Sequence, residues 1–150
     1  MVAEENASLC KAIGLTSKLL GIYINDNLQL GGLKLTRNQY VVLKILSLRQ
    51  GICQSELAFI TERDKTSLTR LISTLESKEM VKRNAASDDR RKKKISITNL
   101  GLNTLNDARP LMKKLEDEVA KGLTSEELDN LQHILNKVQA NVLSLDTGKV

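Results

Sequence analysis

Apolar residues recur three or four positions apart along most of this chain, which is the spacing of helices that bury one face. The first such stretch covers residues 8–30, and Gly31 and Gly32 are expected to end it. The second begins at Thr36, and Gln39 three residues later completes a capping-box pattern. The pattern therefore predicts two helices in the first third of the chain.

Two shorter helical stretches follow, with polar residues between them. Gly51 is expected to end the second helix, and Gln54 or Ser55 to cap a short third one. Asp64 precedes a fourth helix, where its carboxylate can accept hydrogen bonds from free backbone amides of the first turn. A short helix, a tight connection and a second helix make a helix-turn-helix pattern.

The fourth helix is divided into an apolar face and a polar face. At about 100° per residue, its inner face comprises Leu68, Leu71, Ile72 and Leu75. Its outer face comprises Thr66, Arg70 and Ser73, flanked by Lys65, Ser67 and Thr69. Small hydroxyl side chains permit close approach to a DNA groove, and one arginine can bond a guanine twice. We interpret this helix as a candidate recognition helix, although the pattern alone also suits an ordinary surface helix.

A β-hairpin is predicted after the fourth helix. Val81 begins its first strand, and Ile95 and Ile97 point inward from the second, since side chains alternate across a strand. Asp88 and Asp89 suit the turn between the strands. A helix-turn-helix followed by such a hairpin indicates a winged helix, so we predict a mainly α fold with a small β-hairpin wing.

Positive charge is concentrated in the same hairpin. The segment from Lys78 to Lys94 carries eight basic and three acidic residues, and its net charge equals the +5 of the whole chain. This density favours a polyanionic partner. A solvated, solubilising loop is the alternative, and the neighbouring helix-turn-helix pattern favours the polyanion.

Residues 99–150 are predicted to be helical. Pro110 is expected to kink the first helix, and Thr124 and Glu127 form a second capping-box pattern. The last helix then carries a narrow apolar seam at Leu128, Leu131, Leu135, Val138, Val142 and Leu145. Seams of this type pair helices.

The apolar faces of the terminal helices are larger than a small winged-helix core can cover. We therefore expect a single domain over residues 1–150, in which residues 35–98 form the winged helix. Residues 1–34 and 99–150 would form N- and C-terminal dimerisation helices of a homodimer. Intramolecular packing of the terminal helices is the alternative.

Composition narrows the function classes further. Three aromatic residues in 150 leave the core to Leu, Ile and Val and disfavour RNA binding by base stacking. One histidine, His133, and the lack of a phosphate-loop or metal-ligand motif disfavour an enzyme, and no metal or cofactor is expected. Cys10 and Cys53 are expected to be free thiols, and the lack of an apolar run of membrane length predicts a cytoplasmic protein.

Four segments follow one another at the spacing found in MarR-type transcriptional regulators: LTRNQYVVLKIL, GICQSELA, KTSLTRLISTLE and DDRRKKKISITNLG. From about Leu35 to Gly101 the chain resembles this family. Glu79 is a departure, because the family usually has glycine just after the recognition helix, where glycine adopts the left-handed conformation freely. We therefore expect this helix to run on or to end differently.

The resemblance implies a homodimeric, sequence-specific repressor of transcription that binds double-stranded DNA at a pseudo-palindromic operator and responds to a small-molecule effector. In the family, the arginine at the position of Arg91 reaches the minor groove, and the aspartate at the position of Asp89 orients it. The predicted DNA-binding residues are Lys65, Thr66, Ser67, Thr69, Arg70, Ser73, Arg83, Asp89, Arg90, Arg91 and Lys92.

Two alternatives stay open. Cys10, beside Lys11, lies roughly where the hydroperoxide-sensing branch of the family carries its reactive cysteine, so a redox-sensing regulator is one hypothesis. An unreactive thiol on an early helix is the simpler interpretation. The other alternative is a protein-interaction adaptor, because many winged helices bind proteins.

Overall fold

The computed structural model describes residues 8–61, 63–85 and 91–145. Within them the chain forms six helices and three strands, which confirms the mainly α fold with a small β element. In chain order these are α1 (Leu9–Leu30), α2 (Arg37–Leu48), β1 (Ile52–Cys53), α3 (Gln54–Ile60), α4 (Lys65–Ser77), β2 (Val81–Ala85), β3 (Lys93–Ile97), α5 (Asn99–Val119) and α6 (Ser125–Leu145). The chain divides into two compact units, one ending at Met112 and the other beginning at Lys113. Among the described helices, none carries an apolar stretch long enough to cross a membrane.

The core of the first unit is aliphatic, as the scarcity of aromatic residues predicts. Its fully buried side chains include Leu28, Leu43, Leu46, Leu57, Leu68, Ile72, Leu75, Ile95 and Leu105. From α1 it takes Ile24 and Leu28, whereas Leu9, at the start of this helix, is exposed. The buried residues of α1 therefore lie in its C-terminal half.

Two predicted helix starts are confirmed by their hydrogen bonds. The Gln39 amide donates to the Thr36 hydroxyl at 3.2 Å, and the Thr36 amide donates to the Gln39 side chain at 3.1 Å. At the start of α4, the Ser67 amide donates to the Asp64 carboxylate at 2.8 Å. These caps satisfy amides that have no partner within the helix.

The start of α3 differs from the prediction because a strand precedes it. Neither Gln54 nor Ser55 caps α3, since Cys53 occupies the N-cap position and makes no side-chain cap bond there. Residues Ile52–Cys53 form β1, a strand that is not predicted from the sequence. The preceding helix α2 ends at Leu48, before the predicted Gly51, whose φ of 66° lies in the turn that leads into β1.

The sheet has three strands in the order β1-β3-β2, with both pairs antiparallel. The predicted hairpin is therefore present, and β1 extends it on the side of β3. Ile95 is central, since it pairs with Ile52 on β1 and with Arg83 on β2. Ile97 is also buried, as the strand alternation predicts.

The end of α4 keeps the geometry that glycine usually provides. The helix does not run on: Glu79 adopts a φ of 59° directly after its last turn. The Met80 amide bonds the Leu75 carbonyl at 3.0 Å, and the Glu79 amide bonds the Glu76 carbonyl at 2.9 Å. This is a Schellman motif with glutamate in the left-handed position, which costs about 1–2 kcal/mol for a residue with a Cβ.

The second unit contains the end of α5 and all of α6. Helix α5 continues through Pro110 to Val119. Reciprocal bonds of 2.7 and 3.1 Å between Thr124 and Glu127 confirm the predicted capping box before α6. No residue of α6 is buried, and the predicted seam is exposed except for its half-buried members Leu135 and Val138.

Candidate nucleic-acid interface

Helices α3 and α4 form the helix-turn-helix, and α4 presents a polar face to solvent. Its Leu68, Ile72 and Leu75 are fully buried, which fixes the rotation of the helix about its axis. Four predicted outward side chains are exposed, namely Lys65, Thr66, Arg70 and Ser73, and so is Thr74. Thr66 and Arg70 are one turn apart, so they can reach into one groove together.

Ser67 and Thr69 are only half exposed, and their hydroxyls have partners within the protein. The Ser67 hydroxyl accepts a hydrogen bond from the Arg63 guanidinium at 3.2 Å. The Thr69 hydroxyl donates to the Lys65 carbonyl at 2.7 Å and accepts from the Gln54 side-chain amide at 2.8 Å. Thr69 thus links the two helices of the helix-turn-helix.

Arg83, in the middle of β2, turns its guanidinium toward α4. Its Nη2 donates to the Thr69 carbonyl at 3.2 Å and to the Ser73 hydroxyl at 3.1 Å. Its Nη1 lies 3.6 Å from a carboxylate oxygen of Glu76. The Nε atom is buried and has no hydrogen-bond partner among the described residues.

A groove lies between α3, α4 and the hairpin, with a volume of about 620 Å³. Basic residues from α4, β2, β3 and the turn just before β3 line it: Lys65, Arg83, Arg91, Lys92 and Lys93. We call this the basic groove. The fold thus brings the start of the recognition helix and the second strand of the wing, distant in sequence, to one surface. Of the predicted wing residues, Asp89 and Arg90 lie outside the described residues.

A shallower depression of about 450 Å³ lies against the first turns of α4. It is lined by the predicted Thr66, Ser67 and Arg70, and also by Arg63. Arg63 lies before the start of α4 and is not among the predicted DNA-binding residues. The available signal was its spacing of four residues from Ser67, with which it bonds.

The two cysteines are free thiols in different settings. Cys10 is exposed on α1, whereas Cys53 is half-buried and lines the basic groove. Across the described residues, no cluster of three or more histidine, cysteine or carboxylate side chains could hold a metal ion.

Comparison with known proteins agrees with this geometry. A sequence model described as the MarR family matches residues 35–93. The chain is similar to a mutant MarR from E. coli in a crystal structure with operator DNA, at 27% identity and a TM-score of 0.79 over 87% of this chain and 92% of that one. It is similar to the transcriptional regulator SlyA at 25% identity and a TM-score of 0.80, over 90% and 94% of the two chains.

A third likeness supports the fold alone. MepR from S. aureus, crystallised with DNA, shares 20% identity and a TM-score of 0.81 over 89% of this chain and 98% of its own. The likenesses extend well beyond residues 35–93 into the terminal helices. Residues 35–93 therefore match the MarR family, and over 87–90% of its length the chain is similar to the regulators MarR and SlyA.

Proposed function

We propose that this protein regulates transcription by binding double-stranded DNA sequence-specifically as a homodimer. The observation that carries the proposal is the basic groove, in which recognition helix and wing form one cationic surface. The similar E. coli MarR mutant was crystallised with operator DNA, which supports the same ligand class here.

The exposed face of α4 is suited to the major groove. Arg70 can form two hydrogen bonds to a guanine edge, and Thr66 can contact a base or a phosphate. The hydroxyls of Ser67 and Thr69 are engaged within the protein, so Arg70 and Thr66 carry most of the proposed base discrimination.

The wing supplies affinity through charge. Arg91, Lys92 and Lys93 are exposed around the basic groove, where they can neutralise phosphates beside the major groove. By the family resemblance, Arg91 enters the minor groove and Asp89 orients it. Binding through these residues would weaken steeply with rising salt, because neutralised phosphates release counterions.

Exposed apolar residues on the terminal helices support a homodimer. On α1 these include Leu15, Leu19 and Ile22, and on α6 they include Leu128, Leu131, Ile134 and Val142. Apolar side chains exposed together along one helix mark candidate protein contacts. A two-fold dimer places its recognition helices in successive major grooves, so the operator would be pseudo-palindromic. Repression, rather than activation, and response to a small-molecule effector follow from the family resemblance.

The direct test is a fluorescence-anisotropy titration of the purified protein against the duplex upstream of its own gene, with a scrambled duplex of the same composition as control. Tighter binding to the upstream duplex, with affinity falling steeply as salt rises, supports the proposal. A selection from a random duplex pool covers the case of a distant operator. If the selection yields no consensus and binding is independent of salt, the protein is a protein-interaction adaptor or another non-DNA module.

Redox sensing through Cys10 is a second candidate, favoured by the exposure of this thiol on α1. Mild peroxide followed by a sulfenate-trapping reagent tests it. An adduct at Cys10 together with lower DNA affinity supports it, and an unmodified Cys10 removes it.

A further inference from the structure

Arg83 connects the wing to the recognition helix. It pairs with Ile95 in the middle of the sheet, and its side chain is 18% exposed. The guanidinium contacts three residues of α4: it donates hydrogen bonds to Thr69 and Ser73, and it lies near Glu76. The positive charge of this wing residue is therefore directed at the helix.

The three α4 partners lie on one stripe of the helix. They are four and three residues apart, which places them one above another along two turns. A planar guanidinium presents donors in a fixed fork and can bond two of these groups at once, which the single ammonium of lysine does less well.

A second polar contact holds α4 from the opposite element. Gln54 on α3 donates to the Thr69 hydroxyl, while Arg83 on β2 donates to the Thr69 carbonyl. The middle of the recognition helix is thus fixed by hydrogen bonds from both neighbours. These bonds are directional, whereas the apolar contacts of Leu68 and Ile72 in the core are not.

We propose that Arg83 is a positioning residue for DNA recognition, an inference that rests on the proposed function. It sets the distance and angle between α4 and the wing, so that one protomer engages the major groove and the adjacent backbone together. Changing it alters discrimination between DNA sequences more than it alters the number of phosphates contacted.

Two substitutions separate this role from a direct phosphate contact. If Arg83 positions α4, both Arg83→Lys and Arg83→Gln lower the ratio of affinities for selected and scrambled duplexes by about tenfold or more. The slope of log affinity against log salt then stays at the wild-type value. If Arg83 instead binds a phosphate, Arg83→Gln reduces that slope by about 0.9 per lost contact, and Arg83→Lys restores it.

Lys82 provides a matched control, because it is the adjacent residue on β2 and its side chain is exposed. We expect Lys82→Gln to leave the affinity ratio unchanged, whatever its effect on the slope. Circular dichroism at the assay temperature establishes that the variants are folded. Arg83→Lys, the milder change, decides the question alone if Arg83→Gln does not fold.

The experiment uses full-length protein and a duplex selected from a random pool by the wild type. An unchanged affinity ratio in Arg83→Lys overturns the proposal, as does a reduced slope in Arg83→Gln that lysine restores. If the wild type itself selects no sequence, the proposed function fails first, so the two failures are distinguishable.

Discussion

The Thr98 hydroxyl donates a hydrogen bond of 2.6 Å to the carbonyl oxygen of Glu79. The same hydroxyl accepts a bond from the Gly101 amide at 3.0 Å, as the N-terminal cap of α5. The Thr98 amide bonds the Met80 carbonyl at 3.0 Å. One residue thereby joins the end of the recognition helix, the end of the wing and the start of α5.

Removing this hydroxyl should destabilise the protein. Thr98→Val keeps the shape and the strand preference but loses the helix cap and the bond to Glu79, so we expect a loss of roughly 2 kcal/mol in the free energy of unfolding. Urea denaturation measures it. Thr98→Ser retains the hydroxyl and should stay within about 0.5 kcal/mol of the wild type. A loss in Thr98→Ser as large as or larger than the loss in Thr98→Val would contradict the dominant role of the hydroxyl.

Glu79 in the left-handed conformation should be improved by glycine. Removing the strained Cβ should add about 1–2 kcal/mol to the free energy of unfolding. The greater freedom of glycine in the unfolded chain should offset about 0.4–1 kcal/mol of this gain. We therefore expect Glu79→Gly to raise the free energy of unfolding, by somewhat under 1 kcal/mol on these figures. Glu79→Ala keeps a Cβ and serves as the control without this gain. The prediction fails if thermal or urea unfolding ranks alanine above glycine.

Gly101 allows α5 to approach the backbone at Met80. A Cβ at position 101 would clash with the Met80 carbonyl oxygen and lie 2.9 Å from Ile97 Cγ1. Because backbone cannot give way cheaply, we expect Gly101→Ala to cost about 1–3 kcal/mol of stability. Gly14 in α1 is the matched control, since a Cβ there meets no atom within 4 Å. Gly14→Ala should be neutral or stabilise by up to about 1 kcal/mol through helix propensity, and a similar loss in both variants contradicts the close-approach account.

Local sequence signals predicted the starts of α2, α4 and α6, although not the start of α3. The caps at Thr36 and Asp64 depend on a side-chain oxygen that reaches an amide three residues later, so everything needed lies within one turn. Strand β1 has only two residues and is stabilised by pairing with Ile95, more than forty positions away. Its short length leaves no periodicity to detect, which is why it was missed.

In the candidate site, too, features within one helix could be predicted and contacts between elements could not. The helical period correctly placed Thr66 and Arg70 on the exposed face of α4. It could not show that Thr69 bonds α3 or that Arg83 bonds α4, because those partners come from other elements. Sequence therefore predicts which side of a helix faces outward, whereas the tertiary fold decides which polar groups remain available for a ligand.

The proposed dimer predicts that a charge on the exposed face of α1 separates the protomers. Leu19 is 57% exposed in the single chain, and burying a glutamate at this position in an interface is costly. We expect Leu19→Glu to raise the dimer dissociation constant by about tenfold or more, measured by analytical ultracentrifugation. Lys18, exposed and adjacent, is the control, because Lys18→Glu places the same glutamate side chain on a different face of the helix. A Leu19→Glu protein that remains a dimer at low concentration would place the interface elsewhere.

Arg70 and Arg91 should differ in how their loss affects DNA binding. Arg70 lies on the exposed face of α4, so Arg70→Ala should cost about 1–3 kcal/mol with the selected duplex and little with a scrambled one. Arg91 lines the basic groove, so Arg91→Ala should weaken both duplexes and reduce the salt slope by about 0.9 per contact. Lys114 is an exposed residue of the second unit near Glu118, and Lys114→Ala should change neither the DNA affinity nor the salt slope. Anisotropy titrations at four salt concentrations measure the affinity and the slope. Unchanged binding in Arg70→Ala and Arg91→Ala at moderate salt would mean that DNA contacts a different face of the protein.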